Sequence, residues 1–302
     1  MVFISRIGEM VFISRIRRNG IYLENKEKWY MTVQNQKIGF IGAGKMGSAL
    51  MQGIIKAGIV KPENLGASDV YEPFLNELKA QLGINVSTDN AVIVRESDIL
   101  ILAVKPQILG SVLENLKAYI TADKLIISIA AGVPLDTYEN ALPEGTRVVR
   151  VMPNIAATVS EAASGISPGK NATPEDLKIA LELFSAVGTA VQVSESLMDA
   201  VTGLSGSGPA FIFPVIEAMA DGAVLEGMDR KSALTLAAQT VLGAAKMALE
   251  TGLHPGELKD MVTSPAGTTI QGVHALEEAG IRAAFMNAVI RASERSKELG
   301  KK

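Results

Sequence analysis

The sequence predicts an α/β fold: an N-terminal Rossmann-type domain followed by an all-α C-terminal domain. Three observations carry this expectation. A glycine-rich turn ends a short apolar run near residue 42, strand-like and helical segments alternate up to about Val193, and every later segment reads as helix. With 302 residues the chain is long enough for two domains and a large core. The change in character places an extension over 1–30, the Rossmann-type domain over 31–195 and the helical domain over 196–302.

In the extension, "MVFISRI" occurs at Met1–Ile7 and again at Met10–Ile16. A short tandem duplication beside several methionines reads as a disordered tail or a misassigned start, with Met31 the natural one. It lacks the apolar region and small-residue cleavage site of a secretory signal. Its arginines leave organelle targeting as the alternative.

"QKIGFIGAG" (Gln36–Gly44) is a buried strand running into a turn. "KMGSALMQGIIKAG" then places Met46, Leu50, Ile54 and Ile55 at helical spacing. Strand-like runs recur in "NLGASDV", "DILILAV" (Asp98–Val104), "KLIISIA" (Lys124–Ala130) and "RVVRVM" (Arg147–Met152), with helical stretches such as "EPFLNELKAQLG" and "QILGSVLENLKAYI" between some of them. Such alternation argues for a parallel sheet covered on both faces. The later helices, from "SLMDAVTGLSG" to a last one starting near Ile281, are apolar on most faces. A domain of that size cannot hide them alone, so a subunit interface is expected; the alternative is a bundle wedged against the first domain.

Composition narrows the function classes. Hydrophobic residues make up 48% and aromatics 5%, so the core is aliphatic. A net charge of -3 gives no case for nucleic acid or an anionic membrane. The absence of cysteine excludes disulfides, thiolate metal sites and a cysteine nucleophile, and suits a reducing cytoplasm. With only His254 and His274, no metal site is expected. The most apolar window, Pro209–Gly227, is interrupted by Glu217, Asp221 and Glu226, which argues against a membrane span.

"GAGKMG" sets Gly42, Gly44 and Gly47 at dinucleotide-binding spacing, after a strand and opening a helix. Gly42 permits the tight turn, Gly44 lets backbone approach a pyrophosphate and Gly47 lets helix pack on strand. Asp69, 22 residues beyond Gly47, stands where an acid would bond a ribose 2′-hydroxyl, or it caps the next helix. No Lys or Arg follows closely and Glu72 adds charge, so the local balance leans towards NADH. "AVKPQ" (Ala103–Gln107), "SIAAGV" (Ser128–Val133) and "RVMPN" (Arg150–Asn154) end strands at the ligand edge of the sheet. Ala103, Lys105 and Pro106 enter the cofactor reading on that ground, while Arg150 serves either the site or the surface.

"TSPAGTTIQG" (Thr263–Gly272) packs hydroxyls and glycines into a loop that enters a helix. Gly267, Thr268 and Thr269 then lie at a helix amino end, with free amides and hydroxyls for an anion. A nucleophile would need a base nearby, and a Walker loop would need a lysine; neither is present. The cofactor pyrophosphate is already accounted for, so a substrate carboxylate is the expected anion, with ordinary helix capping as the alternative.

At this point "VTGLSGSGPAF" (Val201–Phe211), "HPGELKDMVTSPAGTTIQG" (His254–Gly272) and "GFIGAGKMG" together resemble the pyrroline-5-carboxylate reductase family, from about Lys37 to the last helix. The resemblance implies reduction of 1-pyrroline-5-carboxylate to L-proline by NADH or NADPH, the last step of proline biosynthesis. It implies a small-molecule substrate and a helical domain that intertwines into homodimers, which often assemble into decamers. By its pattern Ser264, Gly267, Thr268 and Thr269 hold substrate, with Thr269 bonding the ring nitrogen. Gly42, Gly44, Lys45, Met46, Ser68, Asn90, Val104, Lys105, Ala130 and Ala131 line the cofactor site. The chain departs from that pattern at Ala266, where glycine is usual, and in "MPNIAATVSEAASG". There Ile155, Ala156, Ser160 and Ala162 replace threonine, proline and two glycines, which alters loop stiffness. The nearest rival, a β-hydroxyacid dehydrogenase, needs a helical lysine that "GLSGSGPAFIFPVIEAM" lacks. A low-activity regulatory paralogue is the other alternative.

Overall fold

The computed structural model describes residues 2–7, 10–15, 33 and 35–300. Residues 16–32, Met31 among them, lie outside the described residues. The duplicated segments form two strands, β1 (Val2–Ile7) and β2 (Met10–Arg15), that pair antiparallel with each other. These strands cover twelve of the residues of the extension.

The main sheet has eight strands in the order β10-β9-β8-β7-β6-β3-β4-β5. They are β3 (Ile38–Ile41), β4 (Leu65–Ser68), β5 (Asn85–Ser87), β6 (Ile99–Leu102), β7 (Leu125–Ser128), β8 (Arg147–Met152), β9 (Ala162–Pro168) and β10 (Gly188–Gln192). Helices α1 (Lys45–Lys56), α2 (Glu72–Leu82), α3 (Asn90–Glu96), α4 (Pro106–Leu116) and α5 (Leu135–Ala141) connect the parallel strands up to β8. The central strands β3, β6 and β7 are buried along their whole length, as apolar strands covered on both faces must be.

The strands read from the sequence, β3, β4, β6, β7 and β8, pair parallel as expected; beyond them β9 runs antiparallel to β8, with Val151 opposite Ile166, and β10 is parallel to β9. A short 3₁₀ turn at Ile155–Val159, instead of a crossover helix, reverses the chain after β8 and forces this pairing. Helix α6 (Pro174–Ser185) then joins β9 to β10 and opens on a Thr173–Asp176 capping box.

Beyond β10 the chain is helical. A 3₁₀ turn (Glu195–Leu197), α7 (Met198–Val201) and a π-helical turn (Thr202–Gly206) lead to α8 (Gly208–Leu225), α9 (Arg230–Thr251), α10 (Pro255–Met261), α11 (Thr268–Glu278) and α12 (Ile281–Gly300). Helix α12 docks on the π turn, where a Cβ on Gly203 would lie 2.6 Å from the Val289 carbonyl oxygen, and Ser296 donates to Asp199 at 2.6 Å. Most other apolar side chains of this half stay exposed, among them Phe213, Leu225, Leu236 and Met286. By length and composition Glu195–Leu225 and α9 would suffice to cross a membrane, which the interruptions at Glu217, Asp221 and Glu226 had argued against.

Candidate functional site

Five residues lie in register across the carboxyl edge of the sheet. Ile41 pairs with Ser68 on one side and Leu102 on the other; Leu102 pairs with Ser128, and Ser128 with Arg150. The strand order switches at β3, so the crevice opens there, between β4 and β6. Gly42, Asp69, Ala103–Lys105 and Ala130–Ala131 all follow this row directly, and Asn90 begins α3 just beyond the end of β5.

The glycine turn is a cradle that side chains would fill. Gly42 has φ 99°, and a Cβ there would sit 2.8 Å from the Ala103 carbonyl oxygen. A Cβ on Gly47 would lie 2.6 Å from the Gly42 carbonyl oxygen, so strand and helix touch backbone to backbone. Gly44 is exposed with nothing within 4 Å of its missing side chain, so the amino end of α1 faces open space. A pyrophosphate fits there, on free amides and the positive end of the helix dipole. Lys45, Lys105, Pro106 and Ala131 are exposed at this edge, and Val104 and Met46 half-buried. Ser68 differs from expectation: it is fully buried and its hydroxyl turns inward to the Phe40 carbonyl at 3.4 Å.

A polar cluster that the sequence reading missed sits between this edge and the helical half. The Ser128 and Tyr138 hydroxyls share a 2.6 Å hydrogen bond, and the Ala130 amide donates to Ser128 Oγ at 3.3 Å. Burial pushes the Tyr138 phenol up to about 12. Arg150 is no surface charge: it is buried and donates to Glu195 at 3.3 Å, while the Leu135 amide donates to the same Glu195 oxygen at 2.5 Å. Asn154 donates from Nδ2 to the Ser205 carbonyl at 2.9 Å, tying the end of β8 to the π turn. An arginine inside the apolar run "RVVRVM" was the available signal, because a charge there needs a partner. A separate cavity lies at the opposite, amino edge of the sheet. Its Arg147 is held by Asp176 at 2.6 Å and by the Asp123 carbonyl, so its strongest charge is already satisfied.

The Ser264–Thr269 loop is built as expected. Gly267 is the N-cap of α11, its amide donates to the Ser264 carbonyl at 3.1 Å, and no side chain caps the helix. The capping alternative therefore falls. Ser264, Thr268 and Thr269 are exposed, and among the described residues no hydrogen bond joins this loop to the sheet domain. The crevice residues come together in one chain; the loop residues come together separately. Two of the three departures from the implied glycine pattern are also informative. Ser160, at φ 61°, and Ala266, at φ 55°, are the non-glycine residues with positive φ among the described residues.

Comparison with known proteins decides the family. The family model for pyrroline-5-carboxylate reductase dimerisation matches residues 195–299, and one for F420-dependent NADP oxidoreductase matches 37–132. A pyrroline-5-carboxylate reductase of Methanosarcina acetivorans is 90% identical over 89% of this chain and 100% of its own length. The chain belongs to the pyrroline-5-carboxylate reductase family. Another member, from Arabidopsis thaliana, is 48% identical over 87% of this chain and 95% of its own. The solved pyrroline-5-carboxylate reductase of Coxiella burnetii superposes with a TM-score of 0.85 at 36% identity, covering 89% of this chain and all of that one. That of Plasmodium falciparum, solved with NADP bound, superposes at 0.79 with 36% identity over 89% of this chain and 99% of its own. The chain is thus an oxidoreductase that uses NAD(P) to reduce pyrroline-5-carboxylate to proline, and its helical half forms a homodimer. Membership of this family sets aside the dehydrogenase alternative.

Proposed function

We propose that the reductase site is assembled from the crevice at the carboxyl edge and the Ser264–Thr269 loop, each with its own task. The coenzyme supplies hydride to the ring carbon of the protonated imine, and the C=N bond becomes the C–N bond of a secondary amine. Everything else is positioning, which suits a site without a strong base. Gly42, Gly44, Lys45, Met46 and Gly47 seat the dinucleotide; Asn90, Ala103–Pro106 and Ala130–Ala131 line its path. Gly267 and Thr268 take the substrate carboxylate at the amino end of α11, with the Ser264 hydroxyl beside them. Thr269 donates to the nitrogen lone pair that forms as hydride arrives.

The observation that carries this reading is the uncapped amino end of α11, with its exposed Thr268 and Thr269 hydroxyls. Because the loop has no hydrogen bond to the crevice of its own chain, we assign it to the crevice of the partner protomer. The exposed apolar faces of α8 and α9 are what that partner covers. Further assembly into a decamer, and residence in the cytoplasm, rest on the resemblance and on the cysteine-free composition.

Thr269→Ala, Thr269→Val and Thr268→Ala test the roles in steady-state kinetics, with coenzyme affinity as the control for folding. A bond that strengthens in the transition state lowers kcat when lost, whereas one to an unchanging carboxylate raises KM. A hydrogen bond to a charged group is worth roughly 1.5–3 kcal/mol, so effects of about ten- to a hundredfold are expected. Near-normal kcat and kcat/KM in both Thr269 variants would make that hydroxyl structural.

A further inference from the structure

The antiparallel pair β8–β9 is where the helical half meets the sheet. Arg150 and Met152 share one face of β8, because successive strand side chains alternate. On that face Val148 packs in one core cluster with Leu135 and Tyr138, whereas Val149 and Val151 belong to the core on the other side. A Cβ built on Gly206, in the π turn, would lie 2.7 Å from Met152 Cε. Met152 is paired with Gly165 of β9, and a Cβ built on Gly165 would lie 2.7 Å from Val201 Cγ1 at the end of α7. Both strands thus press on the helical half at points where one of the two partners has no side chain.

Two polar ties flank this apolar contact. Asn154, just past the end of β8, is buried and donates from Nδ2 to the Ser205 carbonyl at 2.9 Å. Its Oδ1 accepts from the Ala156 amide at 3.2 Å and the Ala163 amide at 3.4 Å. The residue four beyond Ser205 is Pro209, which has no N–H, so Asn154 supplies a hydrogen that the next helical turn cannot. One amide side chain therefore joins the 3₁₀ turn, the start of β9 and the π turn. At the other end of the row the buried Arg150 meets Glu195, whose Oε1 also takes the Leu135 amide. A guanidinium withdrawn from water needs that partner, so Glu195, and the start of the helical half with it, is held against β8. Polar ties at both ends and close apolar contact between them fix direction as well as distance.

We propose that the β8–β9 pair is a seat that sets the tilt of each sheet domain on the dimer core, and that Asn154 and Arg150 are positioning residues for the reduction. The proposal rests on the reading that the Ser264–Thr269 loop serves the partner's crevice. On that reading a crevice and its loop belong to different chains. The path between them runs from the sheet domain through its seat into its own helical half, then across the dimer to the loop before the partner's α11. The seat is the link in that path where the two halves of one chain meet. A seat that slips carries the coenzyme away from the imine, and a displacement of about 1 Å can cost about a hundredfold in rate. Neither Asn154 nor Arg150 has to touch substrate or coenzyme for this.

Asn154→Asp, in the full chain, keeps oxygens for the Ala156 and Ala163 amides and removes the donor to Ser205. Its steady-state constants are measured beside coenzyme affinity, by NADH fluorescence titration, and dimer content, by sedimentation. We expect kcat/KM for pyrroline-5-carboxylate to fall about tenfold while coenzyme affinity stays within about twofold and the dimer persists. A purely structural role would lower Tm and leave the constants measured well below it unchanged. Mixed dimers of Asn154→Asp and Thr269→Ala chains form the second arm. In such a dimer one site combines both defects and the other has neither, so a native site should reappear that neither parent possesses. An unchanged kcat/KM, or a fall that coenzyme affinity shares, overturns the seat. A fall that mixed dimers do not restore overturns instead the assignment of the loop to the partner. Should Asn154→Asp not fold, Glu195→Gln, which keeps an acceptor for the Leu135 amide and removes the charge facing Arg150, is read in the same way.

Discussion

Ala266 sits in the left-handed region at φ 55° in the middle of the substrate loop, one residue before the N-cap of α11. A side chain in that region costs about 1–2 kcal/mol, because Cβ crowds the following carbonyl oxygen. Ala266→Gly removes the clash but gives the unfolded chain more freedom, a loss of about 0.4–1 kcal/mol. The net expectation is stabilisation by about 0.5–1 kcal/mol, an increase in Tm of roughly 1–3 °C for a chain of this size. Gly280 supplies the opposite perturbation. It has φ 73°, and nothing lies within 4 Å of a Cβ built on it, so Gly280→Ala isolates the dihedral cost. That variant should lose about 1 kcal/mol. Both are read by scanning calorimetry at one protomer concentration, since dimerisation makes Tm concentration-dependent. A lower Tm for Ala266→Gly beside the expected loss for Gly280→Ala would refute the strain argument and mean that contacts hold the Ala266 methyl group. Kinetics give the functional half: a loop freed next to Gly267 should bind the carboxylate less tightly, raising the substrate KM with little change in kcat.

Glu182 on α6 has both carboxylate oxygens buried without a hydrogen-bond partner, and burial pushes its acid from 4.5 up to about 7. The folded chain therefore holds a proton that the unfolded chain has released between those values, and stability falls as pH rises through about 7. Glu182→Gln should raise Tm at pH 8, leave it nearly unchanged at pH 4.5 and flatten the slope between; an undiminished slope would place the titration elsewhere. Tyr138→Phe removes one partner of the buried Ser128 hydroxyl, for a cost of about 1–3 kcal/mol. Because Ser128 also accepts from the Ala130 amide, the variant should bind NADH more weakly in a fluorescence titration, and unaltered affinity would make the pair purely structural.

What the sequence revealed, and what it hid, follows from the range of the interactions. The glycine turn was legible because its strand, turn and helix are contiguous and each glycine answers a local steric demand. The α11 loop was legible for the same reason, down to its open N-cap. The antiparallel return of β9 was not: "AASGISP" carries little periodicity, and a 3₁₀ turn gives no apolar stripe to read. Nor was the partnership of Arg150 and Glu195, which are 45 residues apart and meet only once β8 and the 3₁₀ turn after β10 are in place. The departures at Ser160 and Ala266 lie between these cases. The family resemblance implies glycine at both, but only the backbone angles give the difference a physical meaning. Ala162, the third replacement, is buried in β9 with ordinary strand geometry. Two of the replacements are therefore held at angles that favour glycine, and one of those two borders the residues proposed to bind the substrate.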